Sequence, residues 1–176
     1  MLVVGCAHWN NCVRGQTFVN TSQITERVNY YRSLHGVGKV SHNEKMAQVM
    51  QAWTNELARQ SMFRHSTSKY GENLALASLR RCNTSLAKNV TNNFVLNAID
   101  LWYNEESLYN YTKPVYSSIT GHFTQLVWKK TTFIGVGVSL NQTDCKLYIG
   151  MAFDPHGNYS PYMVDNVLPK TANFLS

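Results

Sequence analysis

The sequence predicts an α+β fold built around one core, on three observations. Apolar residues recur at helical spacing through the first two thirds of the chain, then alternate strictly in the last third, the period of a half-buried strand. At 176 residues with 44% hydrophobic content, the chain suits one domain and can bury a real core. Only 15% of residues are Asp, Glu, Lys or Arg, which argues against a long disordered or highly charged segment. No run approaches the roughly 20 apolar residues of a spanning helix, and no repeat recurs.

The first helix is expected over residues 22–35, with Ile24, Val28, Tyr31 and Leu34 on one face and Gly36 as its stop. Ser41-His42-Asn43-Glu44 has the pattern of a capping box, predicting a second helix from there to about Phe63. Met46, Val49, Met50, Trp53, Leu57 and Ala58 form its apolar stripe. A third helix is expected after Thr91, carrying Val95, Ala98, Ile99 and Trp102. Residues 133–140 place Ile134, Val136, Val138 and Leu140 on one face and two glycines on the other. Residues 145–153 alternate likewise, joined to the previous strand by a hairpin loop over 141–144. A shorter strand at 73–77 completes a small antiparallel sheet, with helices and sheet packed as layers.

The net charge of +6 is scattered, with doublets only at Arg80-Arg81 and Lys129-Lys130. Nucleic-acid binders concentrate such charge, so none is expected as a partner; weak attraction to an anionic membrane surface fits better. Cys6, Cys12, Cys82 and Cys145 show no zinc-finger spacing and allow three disulfide pairings. Asn-x-Ser/Thr occurs at Asn20, Asn83, Asn89, Asn110, Asn141 and Asn158, which points to a secreted, extracellular protein. Residues 1–7 resemble the tail of a signal peptide without its basic start, so residues 1–20 are read as an N-terminal segment.

Six histidines are present. His8 lies in the N-terminal stretch, His35 ends a helix, where a cation suits the dipole, His42 sits in a cap and His156 in a turn. His65 and His122 differ because carboxylates accompany them. Glu72 follows His65 closely, and Glu105 follows Trp102 by three positions. A carboxylate at the negative end of a helix dipole is costly unless a histidine or a metal faces it.

Four stretches together resemble the CAP superfamily of cysteine-rich secretory proteins, antigen 5 and pathogenesis-related 1 proteins. They are residues 121–128 (GHFTQLVW), 153–159 (FDPHGNY), 71–75 (GENLA) and 28–37 (VNYYRSLHGV). The resemblance implies a three-layer α-β-α sandwich over a single domain, residues 21–176. It also implies a cleft lined by two His and two Glu, here His65, Glu72, Glu105 and His122. The histidines would bind a divalent cation such as zinc, and Gln125 would line the cleft further. In sterol-binding relatives an aromatic loop matches Tyr109, Tyr111, Pro114, Val115 and Tyr116, which makes a sterol or fatty-acid-like lipid the expected ligand. An apolar channel in other relatives would be walled here by Val28 and Tyr31.

No HExxH, no Gly-x-Ser-x-Gly and no nucleophile beside either histidine is evident, so binding is favoured over catalysis. The alternatives are a metal-dependent hydrolase using the tetrad, with Glu72 and Glu105 as candidate catalytic groups, and a non-catalytic, allergen-like protein with a host partner. Either a monomer or a weak homodimer is compatible. Asn83, Asn89 and Asn141 are the preferred glycan sites; Asn158 is set aside because the second signature's turn would use it, and Asn110 because a glycan would crowd the loop. Cys82 follows one expected strand and Cys145 opens another, which favours a bridge between them and leaves Cys6 with Cys12.

Overall fold

Asn20 sets the start of α1 (Thr21–Leu34): its side chain accepts the Gln23 N–H, one of the amides a first helical turn leaves without a partner. The computed structural model describes residues 19–80 and 88–171. The expected capping box at Ser41 is corrected. Asn43 is the N-cap of α2 (Glu44–Gln60), its Oδ1 accepting the Met46 N–H at 3.1 Å. Ser41–His42 form a short strand, β1, because the sheet claims their backbone: the Ser41 N–H donates to Thr132 and the Asn43 N–H to Ile134. The helix stops at Ser61, whose φ of 51° is left-handed, short of Phe63.

Three longer strands follow, β2 (Gly71–Ser78), β3 (Phe133–Asn141) and β4 (Lys146–Asp154), in the order β1-β3-β4-β2. The β3–β4 and β2–β4 pairs are antiparallel and β1–β3 is parallel. The sheet is therefore mixed, where a wholly antiparallel one was expected. Both edges are blunted by side chains: the Gln51 carboxamide donates to and accepts from the Val138 backbone at 2.8 and 3.1 Å, and the Trp102 indole donates to Leu74 O.

The alternation does what its period requires. Ile134, Val136, Val138 and Leu140 share a buried face with Leu147, Ile149, Met151 and Phe153. Against that face lie α1, α3 (Lys88–Asn104) and α4 (Gly121–Leu126). On the other face α2 rests directly on the backbone. A Cβ at Gly135 or Gly137 would come within 2.4 Å of the Ala47 or Gln51 nitrogen, so only glycine admits the helix there. Met50 and Leu57 are buried between this helix and the sheet, each stabilising by about 1.5–3 kcal/mol.

Arg32 joins α1 to the segment behind α4. It is fully buried and donates to the carbonyls of Gly38, Leu126, Trp128 and Thr131 at 2.8–3.0 Å. Burial lowers its pKa to about 10. His35 is not the helix-terminal cation that its position suggested. It is fully buried, its Nδ1 2.7 Å from Leu168 O and its Nε2 3.1 Å from the Tyr103 hydroxyl, and burial pushes its pKa below the ordinary value. With the Thr171 N–H donating to Leu34 O, this ties residues 168–171 across α1.

Cys145 is disulfide-bonded, whereas Cys6, Cys12 and Cys82 lie outside the described residues, as do residues 1–18. Among the described residues no helix is long and apolar enough to cross a membrane.

Candidate functional site

The four expected cleft residues form two pairs. His65, in the loop after α2, places Nδ1 2.6 Å from Glu72 Oε1; Glu72 lies on β2 and its side chain is 5% exposed against 65% for the histidine. The same carboxylate accepts the Ser66 N–H. His122, at the start of α4, places Nδ1 2.7 Å from Glu105 Oε1. Glu105 Oε2 accepts the N–H groups of His122 and Phe123 at 3.0 and 3.1 Å, the orphan amides of that helix's first turn. Glu105 thus opens a 3₁₀ turn (Glu105–Leu108) beyond the end of α3, and the compensating histidine expected opposite it is His122. The His122 ring stacks on Trp102 at 5.9 Å. One residue links the pairs: Asn73, next to Glu72 on β2, is buried and donates to His122 O at 3.0 Å.

A carboxylate that also accepts backbone N–H groups acts as an acceptor toward the ring, so each Nδ1–H donates to its Glu and Nε2 is the ring nitrogen turned away from that carboxylate. That is the arrangement in which carboxylates orient metal-ligating imidazoles. Among the described residues no set of three His, Cys, Asp or Glu side chains is grouped to hold an ion.

Gln125 does not open to this site. It is 2% exposed; its Oε1 accepts the Gly157 N–H at 2.8 Å, and a Cβ at Gly71 would strike it. It braces the second signature against the first. Asn158 is spent in the turn as expected: with φ of 62°, its Oδ1 accepts the Thr124 hydroxyl and its Nδ2 donates to Gly121 O. Asn141, preferred as a glycan site, has an engaged amide, donating toward Ala58 O and Ser61 Oγ. Asn83 and the Asn89 side chain lie outside the described residues.

The tyrosine loop divides into a root and a tip. Tyr109 is buried and meets the Tyr111 ring edge-on at 4.9 Å, while the Tyr111 hydroxyl donates to Glu106, itself paired with Lys170. The buried Tyr109 hydroxyl has no hydrogen-bond partner among the described residues. Pro114 is half-buried, while Val115, Tyr116 and Ile119 are exposed, as is Leu108 on the preceding turn. Val28 and Tyr31, the expected channel walls, are committed to packing: Val28 is fully buried, and Tyr31 stacks on Tyr103 at 3.8 Å and donates to Asp100.

Sequence reasoning missed Arg32, Asn73 and Trp102 as supports of the site. Arg32 and Asn73 lie inside motifs, but a motif does not show which carbonyl an Arg or Asn side chain will reach.

Comparison with known proteins adds the family. Residues 25–153 match the model of the cysteine-rich secretory protein family. The human Golgi-associated plant pathogenesis-related protein 1 is 30% identical over 154 residues, 84% of this chain and 92% of that protein. Protein PRY2 of Saccharomyces cerevisiae is 31% identical over 85% of this chain, which spans only 41% of the yeast protein's length. Among solved structures, BmVAL-1 superposes with a TM-score of 0.67 at 20% identity, covering 90% of this chain and 84% of its own. NaASP2, solved with Zn2+, gives 0.62 at 18% identity, covering 86% and 85%.

Proposed function

The chain belongs to the cysteine-rich secretory protein family, and on that premise we propose that it is an extracellular binding protein rather than a catalyst. It holds a divalent cation on Nε2 of His65 and His122 and a sterol or similar small lipid at the 109–119 loop. The observation that carries the reading is the engagement of both carboxylates. Glu72 and Glu105 are occupied by ring and backbone N–H groups, which suits them to orienting the imidazoles and leaves neither placed as a free general base. NaASP2, a protein of the same fold, was solved with Zn2+, which supports a cation at such a site. Bound between two imidazoles, a zinc ion would offer Lewis acidity and open coordination positions to a ligand. For the lipid, the support is an apolar, exposed tip on a fixed aromatic root, whose Tyr109 hydroxyl would gain a partner from a ligand hydroxyl.

Equilibrium binding of labelled cholesterol and of zinc separates the two sites. Val115→Ser/Tyr116→Ala should abolish saturable sterol binding and leave zinc binding intact; these exposed residues are chosen because Tyr111 anchors the loop. His65→Ala/His122→Ala should do the reverse. Peptide or ester hydrolysis that disappears in the histidine variant would overturn the non-catalytic reading in favour of a metal-dependent hydrolase.

A further inference from the structure

Of the six Asn-x-Ser/Thr sites, Asn20, Asn110, Asn141 and Asn158 have described side chains, and their amides are in different states. Asn141 Nδ2 faces three acceptors, Ala58 O at 2.8 Å, Ser61 Oγ at 3.0 Å and Asp144 Oδ2 at 3.3 Å. Asn158 Nδ2 holds Gly121 O at 2.8 Å from within a turn. Asn20 is half-buried at the start of α1, and the hydroxyl of its sequon, Ser22, is turned away to Glu26.

Asn110 is different. The residue is exposed, its Oδ1 accepts both the N–H and the hydroxyl of Thr112 at 3.0 and 2.8 Å, and its Nδ2 makes no hydrogen bond among the described residues. The amide and the hydroxyl two residues on, the two groups a sequon needs, are therefore already in contact on an exposed residue.

We propose that Asn110 carries an N-linked glycan in the mature protein, added from a lipid-diphosphate-linked oligosaccharide; the proposal rests on the extracellular reading above. Nδ2 forms the bond to the anomeric carbon as the bond from that carbon to the diphosphate oxygen breaks. The amide gives up one proton, and the lipid diphosphate leaves with the bonding pair. One Nδ2 hydrogen remains. At Asn141 that single hydrogen would have to serve three acceptors at the end of α2, and at Asn158 the sugar would compete with the bond to Gly121. At Asn110 no existing bond is lost. This reverses the order the sequence suggested, which preferred Asn141 and set Asn110 aside.

The test is site mapping by mass spectrometry on the chain secreted from eukaryotic cells behind a cleavable leader, with glycosidase release in heavy-oxygen water. Asn110 should acquire the label in most molecules, and Asn110→Gln should lose one glycan's mass with an unchanged urea midpoint. Asn141 and Asn158 should stay unlabelled in the folded, secreted fraction. A bare Asn110, or an occupied Asn141 or Asn158, overturns the assignment. Because the leader imposes the secretory route, such a failure concerns the site alone. A native protein bare at Asn110, when the leader-driven protein is occupied, counts instead against the extracellular reading.

Discussion

Glu105 and Glu72 each hold a histidine Nδ1 at nearly the same distance, yet the histidines differ in freedom. His122 is fixed three ways: its ring on Glu105 and against Trp102, its N–H on the same carboxylate, its carbonyl on Asn73. His65 hangs from a loop, 65% exposed, with Glu72 as its ring's hydrogen-bond partner. One arm of the site is thus built into the α4 helix start, and the other can swing. A cation would meet one preset ligand and one that adapts, which tolerates variation in ion size and in the remaining ligands.

The largest effect on this contrast comes from outside it. Arg32 holds the carbonyls that follow α4, so Arg32→Met should take the guanidinium from the buried Leu126, Trp128 and Thr131 carbonyls, leave Trp128 O only the Thr131 N–H, and cost about 4 kcal/mol in urea unfolding. Any zinc affinity lost in a folded Arg32→Met sample should come through His122; if a His122→Ala background removes no part of that loss, the arms are not mechanically separate.

Next come the carboxylates. Glu72→Gln should weaken zinc binding roughly tenfold by calorimetry, and Glu105→Gln closer to a hundredfold. Both substitutions turn an amide donor toward backbone N–H groups, two of them at Glu105 and one at Glu72, so the melting temperature should fall in both and further for Glu105→Gln. Equal losses would erase the distinction.

His35 is the control, a histidine with no carboxylate bonded to it. Its folded pKa is depressed by burial below 6.5, so between those values the unfolded chain binds a proton that the folded one does not. Stability from this group is present above about pH 6.5 and is lost as pH falls through the window, by up to about 1.4 kcal/mol per pH unit. His35→Gln should flatten that limb of the unfolding-midpoint profile; an unchanged slope would assign it elsewhere. The smallest effect belongs to the loop tip, where Val115→Ser/Tyr116→Ala should shift stability by less than about 0.5 kcal/mol.

Much of this was legible in the sequence because it was periodic or local. The alternation of residues 133–140 and 145–153 predicts the strands and the glycine face, and the His/Glu tetrad follows motif order. Illegible were choices made by distant partners. Ser41 reads as a helix cap until Thr132 and Ile134 claim its neighbourhood for the sheet. His35 reads as a surface cation until Leu168 and Tyr103 enclose it. Gln125 reads as a cleft residue until its carboxamide proves to fill the space beside Gly71 and to accept the Gly157 N–H.

The carboxamide of Gln51 on the border of β3 has a consequence for the life of the protein at high concentration. Among the described residues the strand on that border is the two-residue β1, and a sheet border whose peptide groups are left open invites another molecule to add its own strand. A side chain that imitates a strand at Val138 removes the template at the middle of the border, at the cost of one residue instead of a whole extra strand. Replacing it with leucine would leave the helix intact and strip the carboxamide from the Val138 N–H and carbonyl, so a neutral-looking change on a helix alters how that border meets its surroundings.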